Sequence, residues 1–149
     1  MKTAGRSLLD TNILVYSFLD GDKAKQTRAR ALVRAALDKH DAIISFQVVQ
    51  EFLNVATRRP QCRMSQAQAQ LYLSKVLAPL CEVLPDTALY SNALSIADET
   101  GWSFYDSVVV SSALAGGCDT VLTEDLQDER TIRGIVIRNP FRLKSSVHC

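Results

Sequence analysis

Four acidic side chains stand at positions where a solvated charge is out of place. Asp10 directly follows the apolar run Ser7-Leu8-Leu9, and Asp125 follows Thr120-Val121-Leu122-Thr123-Glu124. Glu51 separates Val48-Val49-Gln50 from Phe52-Leu53-Asn54-Val55. Asp106 separates Trp102-Ser103-Phe104-Tyr105 from Ser107-Val108-Val109-Val110. Burying a lone carboxylate costs on the order of several kcal/mol unless a cation, a metal ion or helix N-terminal amides offset it. Taken singly, each residue also has a structural explanation. Asp10 suits a helix N-cap, and Asp106 suits the first turn of a helix begun at Ser103. Glu51 fits a polar stripe with Gln47, Asn54 and Arg58, and Asp125 fits an acidic surface loop with Glu124, Asp128 and Glu129. Taken together, two carboxylates at strand ends and two at or near helix starts can meet at one edge of a sheet. Such a cluster repels itself without a divalent cation. Mg2+ and Mn2+ prefer oxygen ligands, and an ion held there activates water and stabilises charge on a phosphodiester.

The elements that must position these groups follow one another at short intervals. Strands are expected at Ser7–Leu9, Ala42–Ser45, Cys81–Leu84, Thr120–Thr123 and Ile135–Arg138. Helices are expected at Thr11–Leu19, Lys23–Lys39 and Gln47–Thr57, the last closed by Pro60. Ser65 with Gln68 fits a capping box opening a helix that runs to about Leu77, before Pro79. Pro85 and Asp86 open another, ending near Thr100 with Gly101 as its cap. Phe104–Ala115 is apolar nearly all round and is expected to be buried, with Gly116-Gly117 stopping it. Short apolar strands alternating with helices imply an α/β fold, its mostly parallel sheet covered on both faces. In such sheets ligands bind beyond the carboxyl ends of the strands, where Asp10 and Asp125 fall. Tyr16, Phe18, Phe46, Phe52, Trp102, Phe104 and Tyr105 lie inside apolar segments and are expected in the core.

Bulk properties narrow the classes. The 149 residues are 47% hydrophobic and 22% charged, which suits one globular domain and excludes disorder. No apolar run approaches the roughly 20 residues of a membrane helix. The N-terminus lacks a secretory core, so a cytoplasmic protein with no membrane association is expected. Cys62, Cys81, Cys118 and Cys149 form no Cys-x-x-Cys pair, and His40 and His148 are the only histidines. That argues against zinc and for unpaired thiols. The net charge of +1 advertises no global basic field. Its distribution is uneven: residues 1–85 carry twelve Lys/Arg against seven Asp/Glu, and residues 86–149 carry five against nine.

Four motifs, in order, resemble the PIN-domain family, and within it the VapC-like toxins of bacterial toxin–antitoxin pairs. They are Leu8-Leu9-Asp10-Thr11-Asn12-Ile13-Leu14-Val15-Tyr16, Ser45-Phe46-Gln47-Val48-Val49-Gln50-Glu51-Phe52, Phe104-Tyr105-Asp106-Ser107 and Leu122-Thr123-Glu124-Asp125-Leu126-Gln127-Asp128. The resemblance spans nearly the whole chain, so residues 1–149 are expected to form a single PIN domain. It implies a PIN-like three-layer sandwich, a parallel five-stranded sheet flanked by helices. It also implies that Asp10, Glu51, Asp106 and Asp125 hold Mg2+ or Mn2+, with Asp128 a rival or auxiliary at the fourth position and Glu124 a weaker one. Related sequences often place Gly after Leu-Gln-Asp, where this chain has Glu129.

The function implied by the resemblance is metal-dependent hydrolysis of RNA phosphodiester bonds by the toxin of a toxin–antitoxin pair. Thr11, Asn12, Ser45 and Thr123 would orient carboxylates or substrate, although capping and turn bonds explain such residues equally well. Arg58, Arg59 and Arg63, or Arg28, Arg30 and Arg34, would frame the acidic site for RNA. A homodimer and a small cognate antitoxin are the expected partners. The alternative is a catalytically inactive PIN-like module that binds RNA or protein. An aspartate-nucleophile phosphatase of the haloacid dehalogenase type would carry Asp-x-Asp where this chain has Asp10-Thr11-Asn12, and a receiver-like scaffold fits a mid-helix Glu51 poorly.

Overall fold

A computed structural model describes residues 5–19, 21–60 and 63–142. Six strands form one sheet: β1 (Ser7–Leu9), β2 (Ala42–Ser45), β3 (Cys81–Val83), β4 (Thr120–Leu122), β5 (Thr131–Ile132) and β6 (Ile135–Arg138). Their spatial order is β3-β2-β1-β4-β6-β5. All pairs are parallel except β5 with β6. Period-two alternation sends Leu8 and Ile43 into one core and Leu9 and Ile44 into another, on opposite faces of the sheet.

The helices are α1 (Thr11–Phe18), α2 (Lys23–Lys39), α3 (Phe46–Arg58), α4 (Gln66–Tyr72), a short α5 (Ala78–Leu80), α6 (Thr87–Thr100) and α7 (Phe104–Ala115). Leu89, Ala93 and Ile96 of α6 and Val108–Val110 of α7 cover the first face; residues of α1 to α5 cover the second. Helix starts follow side-chain chemistry. Asp10, Asp22, Ser45, Ser65, Asp86 and Ser103 each accept a backbone N–H in the first turn they precede. Gly101 ends α6 at φ 78°, the left-handed conformation that glycine adopts without a Cβ clash.

Three expectations are corrected. The sheet has six strands, not five: Thr131–Ile132 folds back on Ile135–Val136 through Arg133-Gly134, both at positive φ, a two-residue turn that twists with its strands. The Ser65 helix does not stop before Pro79. A π-helical turn over Leu73–Leu77 carries it into α5, and the Ala78 N–H reaches back to the Leu73 carbonyl. This wider turn accommodates a proline that cannot make the α-helical bond, and burial of Leu77 and Leu80 draws the chain onward. The aromatic residues divide. Phe52 is fully buried, stacked on Tyr72 at 4.8 Å, whereas Phe46, Phe104 and Tyr105 are exposed. These three occupy first turns of α3 and α7, where side chains lean towards the helix start and past the edge of the layer. Cys81 and Cys118 are unpaired thiols, the latter buried; Cys62 and Cys149 lie outside the described residues.

Glu129 adopts φ 65°. A side chain in that left-handed conformation costs about 1–2 kcal/mol, and the 3.6 Å contact of Glu129 with Arg138 is solvent-exposed and offsets little of it. Glu129→Gly is therefore expected to raise Tm by about 2–4 °C, read by thermal unfolding; an unchanged or lower Tm would contradict the strain.

Candidate active site

Asp10 ends the central strand β1 and caps α1. Its backbone N–H bonds the Leu122 carbonyl at 3.0 Å, which continues the β1–β4 ladder by one residue. Its side chain is 7% exposed. One carboxylate oxygen accepts the Thr11 N–H at 2.8 Å, and the other accepts the Thr123 hydroxyl at 2.7 Å. The Thr123 oxygen also accepts Asn12 Nδ2 at 3.2 Å and the Asp125 N–H at 3.1 Å, so one hydroxyl uses its proton and both lone pairs inside the site. Asn12 Nδ2 also bonds Asp125 Oδ2 at 3.1 Å, and Asn12 Oδ1 accepts the Glu124 N–H at 3.3 Å. On the other flank, the Thr11 hydroxyl donates to Glu51 Oε1 at 2.6 Å, and Gln47, one helical turn before Glu51, donates to Oε2 at 3.1 Å. A single network thus joins Asp10, Thr11, Asn12, Glu51, Thr123 and Asp125.

The electrostatics of Asp10 are one-sided. Burial, partly countered by the Thr123 and Thr11 bonds and reinforced by the charges of Glu51 and Asp125, lifts its pKa from 3.8 to about 6. Among the described residues, no Lys or Arg is a hydrogen-bond partner of Asp10.

Glu124 joins this network only through its N–H, and the remaining candidates stand apart from it. Asp106 lies half-buried in the first turn of α7, where its N–H bonds Ser103 Oγ at 3.1 Å. Asp128 is engaged elsewhere, accepting the Asn139 N–H at 2.8 Å and Arg142 Nη1 at 3.1 Å. Glu124 binds Lys25 and Tyr16. Ser45 caps α3 by accepting the Val48 N–H at 3.3 Å. Arg58 and Arg59 end α3 on the surface, and Arg63 is also exposed. On α2, Arg28 and Arg30 turn to backbone carbonyls of Pro140 and Ser17. Sequence reasoning missed Lys25: its contact with Glu124 spans 99 positions and leaves no local signal.

Among the described residues no three His, Cys, Asp or Glu side chains stand close enough to share one metal ion. The chemistry of the donor set nonetheless fits a hard divalent cation. Every acidic member offers oxygen alone, and a buried carboxylate flanked by two others lacks a countercharge.

The chain belongs to the PIN domain family, whose model matches residues 7–131. Its fold resembles that of a toxin–antitoxin complex from Klebsiella pneumoniae, at 18% identity and TM-score 0.65, covering 92% of this chain and 99% of that one. It also resembles FitAcB from Neisseria gonorrhoeae, at 20% identity and TM-score 0.61, again covering 92% and 99%. VapC20 of Mycobacterium tuberculosis, a sarcin-ricin loop cleaving toxin, aligns at 22% identity and TM-score 0.55 over 80% of this chain and 89% of that one. At such identities the similarity establishes the fold alone. No curated protein matches the chain in sequence.

The raised pKa of Asp10 has a measurable consequence for stability. The folded carboxyl holds its proton more tightly than the unfolded one, so its contribution is complete below about pH 4 and is lost as pH rises towards 6. The loss is on the order of 3 kcal/mol. Asp10→Asn removes it. In thermal melts with EDTA, wild type should lose more stability than Asp10→Asn between pH 4 and pH 7.5; parallel profiles would refute the buried charge.

Proposed function

We propose that this chain is a Mg2+- or Mn2+-dependent ribonuclease that hydrolyses RNA phosphodiester bonds as the toxin of a toxin–antitoxin pair. The observation that carries this reading is the burial of Asp10 beside the charges of Glu51 and Asp125, with no cationic side chain to offset it. Family membership supplies the second support, since Asp10, Glu51, Asp106 and Asp125 all lie within the matched residues.

In this reading Asp10, Asp106, Glu51 and Asp125 would hold the ion after drawing closer together than they stand in the described structure. Asp125 is preferred to Asp128 and Glu124 at the fourth position because its N–H bonds the same Thr123 hydroxyl that donates to Asp10, while its carboxylate accepts Asn12 Nδ2. A bound Mg2+ or Mn2+ would neutralise the cluster and supply Lewis-acid stabilisation of charge on the phosphoryl group. The chain's own groups do the positioning. Thr123 and the Thr11 N–H fix both oxygens of Asp10. Glu51, exposed and oriented by Thr11 and Gln47, would help, with Asp125, to deprotonate or position the attacking water. Ser45 holds the start of the helix that carries Glu51. Arg58, Arg59 and Arg63 draw the RNA backbone to a site that would otherwise repel it. Single-stranded loops are the natural substrate because their backbone is accessible; VapC20, similar in fold, is a sarcin-ricin loop cleaving toxin.

Two surfaces support the expected partners. Adjoining cavities of about 530, 340 and 400 Å3 meet at Met64, Phe18 and Tyr72, and this apolar groove suits a segment of a small antitoxin. Phe46, Leu84, Tyr90, Leu94, Phe104 and Tyr105 are exposed, and the Tyr90, Phe104 and Tyr105 rings adjoin one another, a surface that suits a homodimer. A cytoplasmic location accords with the described residues, where no helix is long and apolar enough to cross a membrane.

The second reading, an inactive binding module, draws on Asp106 standing outside the Asp10 network. Purified protein incubated with a loop-containing RNA separates the two. Cleavage should require Mn2+ or Mg2+, stop with EDTA, and fall by at least about 100-fold in Asp10→Asn and Asp106→Asn. Cleavage that persists in EDTA or in either variant would overturn the mechanism, and RNA binding without cleavage would favour the module.

A further inference from the structure

A basic residue in the first turn of a helix opposes the helix dipole. The first turn of α2 contains Lys23 and Lys25 and no acidic residue, although its N-cap Asp22 accepts the Lys25 N–H at 3.1 Å. Lys25 is therefore poorly placed for its own helix, and a local rule broken in this way points to a use elsewhere. Its ammonium pairs with Glu124, the residue before Asp125. Tyr16 donates its phenolic hydrogen to the second oxygen of the same carboxylate. The ammonium also lies 4.8 Å from the Tyr16 ring centre and 5.8 Å from that of Phe141, and those two rings meet edge to face at 5.1 Å. One charge thereby ties α1, α2, the segment after β4 and the segment after β6. The lysine and glutamate side chains are 29% and 24% exposed, so water screens the pair only partly.

We propose that Lys25 is a positioning residue for the acidic site, acting through Glu124; the proposal rests on the ribonuclease reading only for its effect on the metal. The Glu124 N–H bonds Asn12 Oδ1, and Asn12 in turn holds Thr123 and Asp125. Fixing the Glu124 side chain thus fixes the backbone from which Asp125 is presented. The pairing also removes a negative charge from competition. Without the ammonium, Glu124 would be an unpaired carboxylate beside a cluster already short of positive charge.

The test compares wild type, Lys25→Met, Lys25→Arg and Glu124→Gln. Hydrogen exchange of the Thr123–Leu126 amides, in EDTA, reads positioning without any metal. Mn2+ titration by calorimetry, in the absence of RNA, reads the site. Lys25→Met should speed exchange in this segment by about fivefold or more while leaving the amides of α7 unchanged. It should weaken Mn2+ binding about tenfold, the effect of losing an outer-shell partner. Lys25→Arg should restore both, and adding Glu124→Gln to Lys25→Met should cost nothing more. Unchanged exchange in Lys25→Met would overturn the proposal. So would additive losses in the double variant, which would mean that Lys25 acts on the segment independently of Glu124. A wild type that binds no Mn2+ would defeat the ribonuclease reading, and the exchange data would still decide the role of Lys25.

Discussion

A carboxylate held out of water at the carboxyl end of the central strand constrains everything around it. Its charge is not cancelled by a neighbouring cation. Two hydrogen bonds stabilise it, from an amide in the first turn of α1 and from the hydroxyl of Thr123, the residue after β4. Both donors sit just beyond the carboxyl ends of adjacent central strands, β1 and β4. Desolvation outweighs them, and the result is a carboxyl group that retains its proton to about pH 6. A divalent ion would reverse that balance by giving the charge a partner.

The topology explains why the conflict sits there. The chain runs outward from β1 through β2 to β3, then returns to the other side of β1 with β4 and β6. The direction of winding reverses between β1 and β4, so the loops that follow these strands diverge and leave a crevice. Asp10 follows β1, and Thr123 and Asp125 follow β4. The buried helix α7, with Val108–Val110 against the sheet, brings Asp106 to the same class of position at a helix start. Crossing connections of this kind convert sequence neighbours of apolar strands into spatial neighbours of one another.

Much of this was legible in the sequence because its signals are local. Caps at Asp10, Ser45, Ser65, Asp86 and Ser103 and the stop at Gly101 mark helix boundaries through bonds that reach only three or four residues. Apolar strands of three or four residues mark the parallel sheet. The edge hairpin at Thr131–Ile132 was illegible because two residues carry no periodicity, and the π-helical turn because proline's local preference was outweighed by the burial of Leu77 and Leu80. The site was legible in residue type but not in partnership. Asp125, Asp128 and Glu124 are equivalent carboxylates in a linear motif. They differ in the fold because Arg142 and the Asn139 amide hold the second, and Lys25 and Tyr16 hold the third. Likewise, nothing local reveals that Asp106 shares no hydrogen bond with the Asp10 network.

The proposed role of a divalent cation turns on the burial and like-charged surroundings of Asp10. Carbon-13 NMR of the Asp10 side-chain carboxyl, titrated with and without saturating Mg2+, tests it at the atom concerned. The resonance should titrate near pH 6 without the ion and near or below the ordinary carboxylate value of about 4 with it. A midpoint near 4 without Mg2+, or one that Mg2+ leaves in place, would contradict the account.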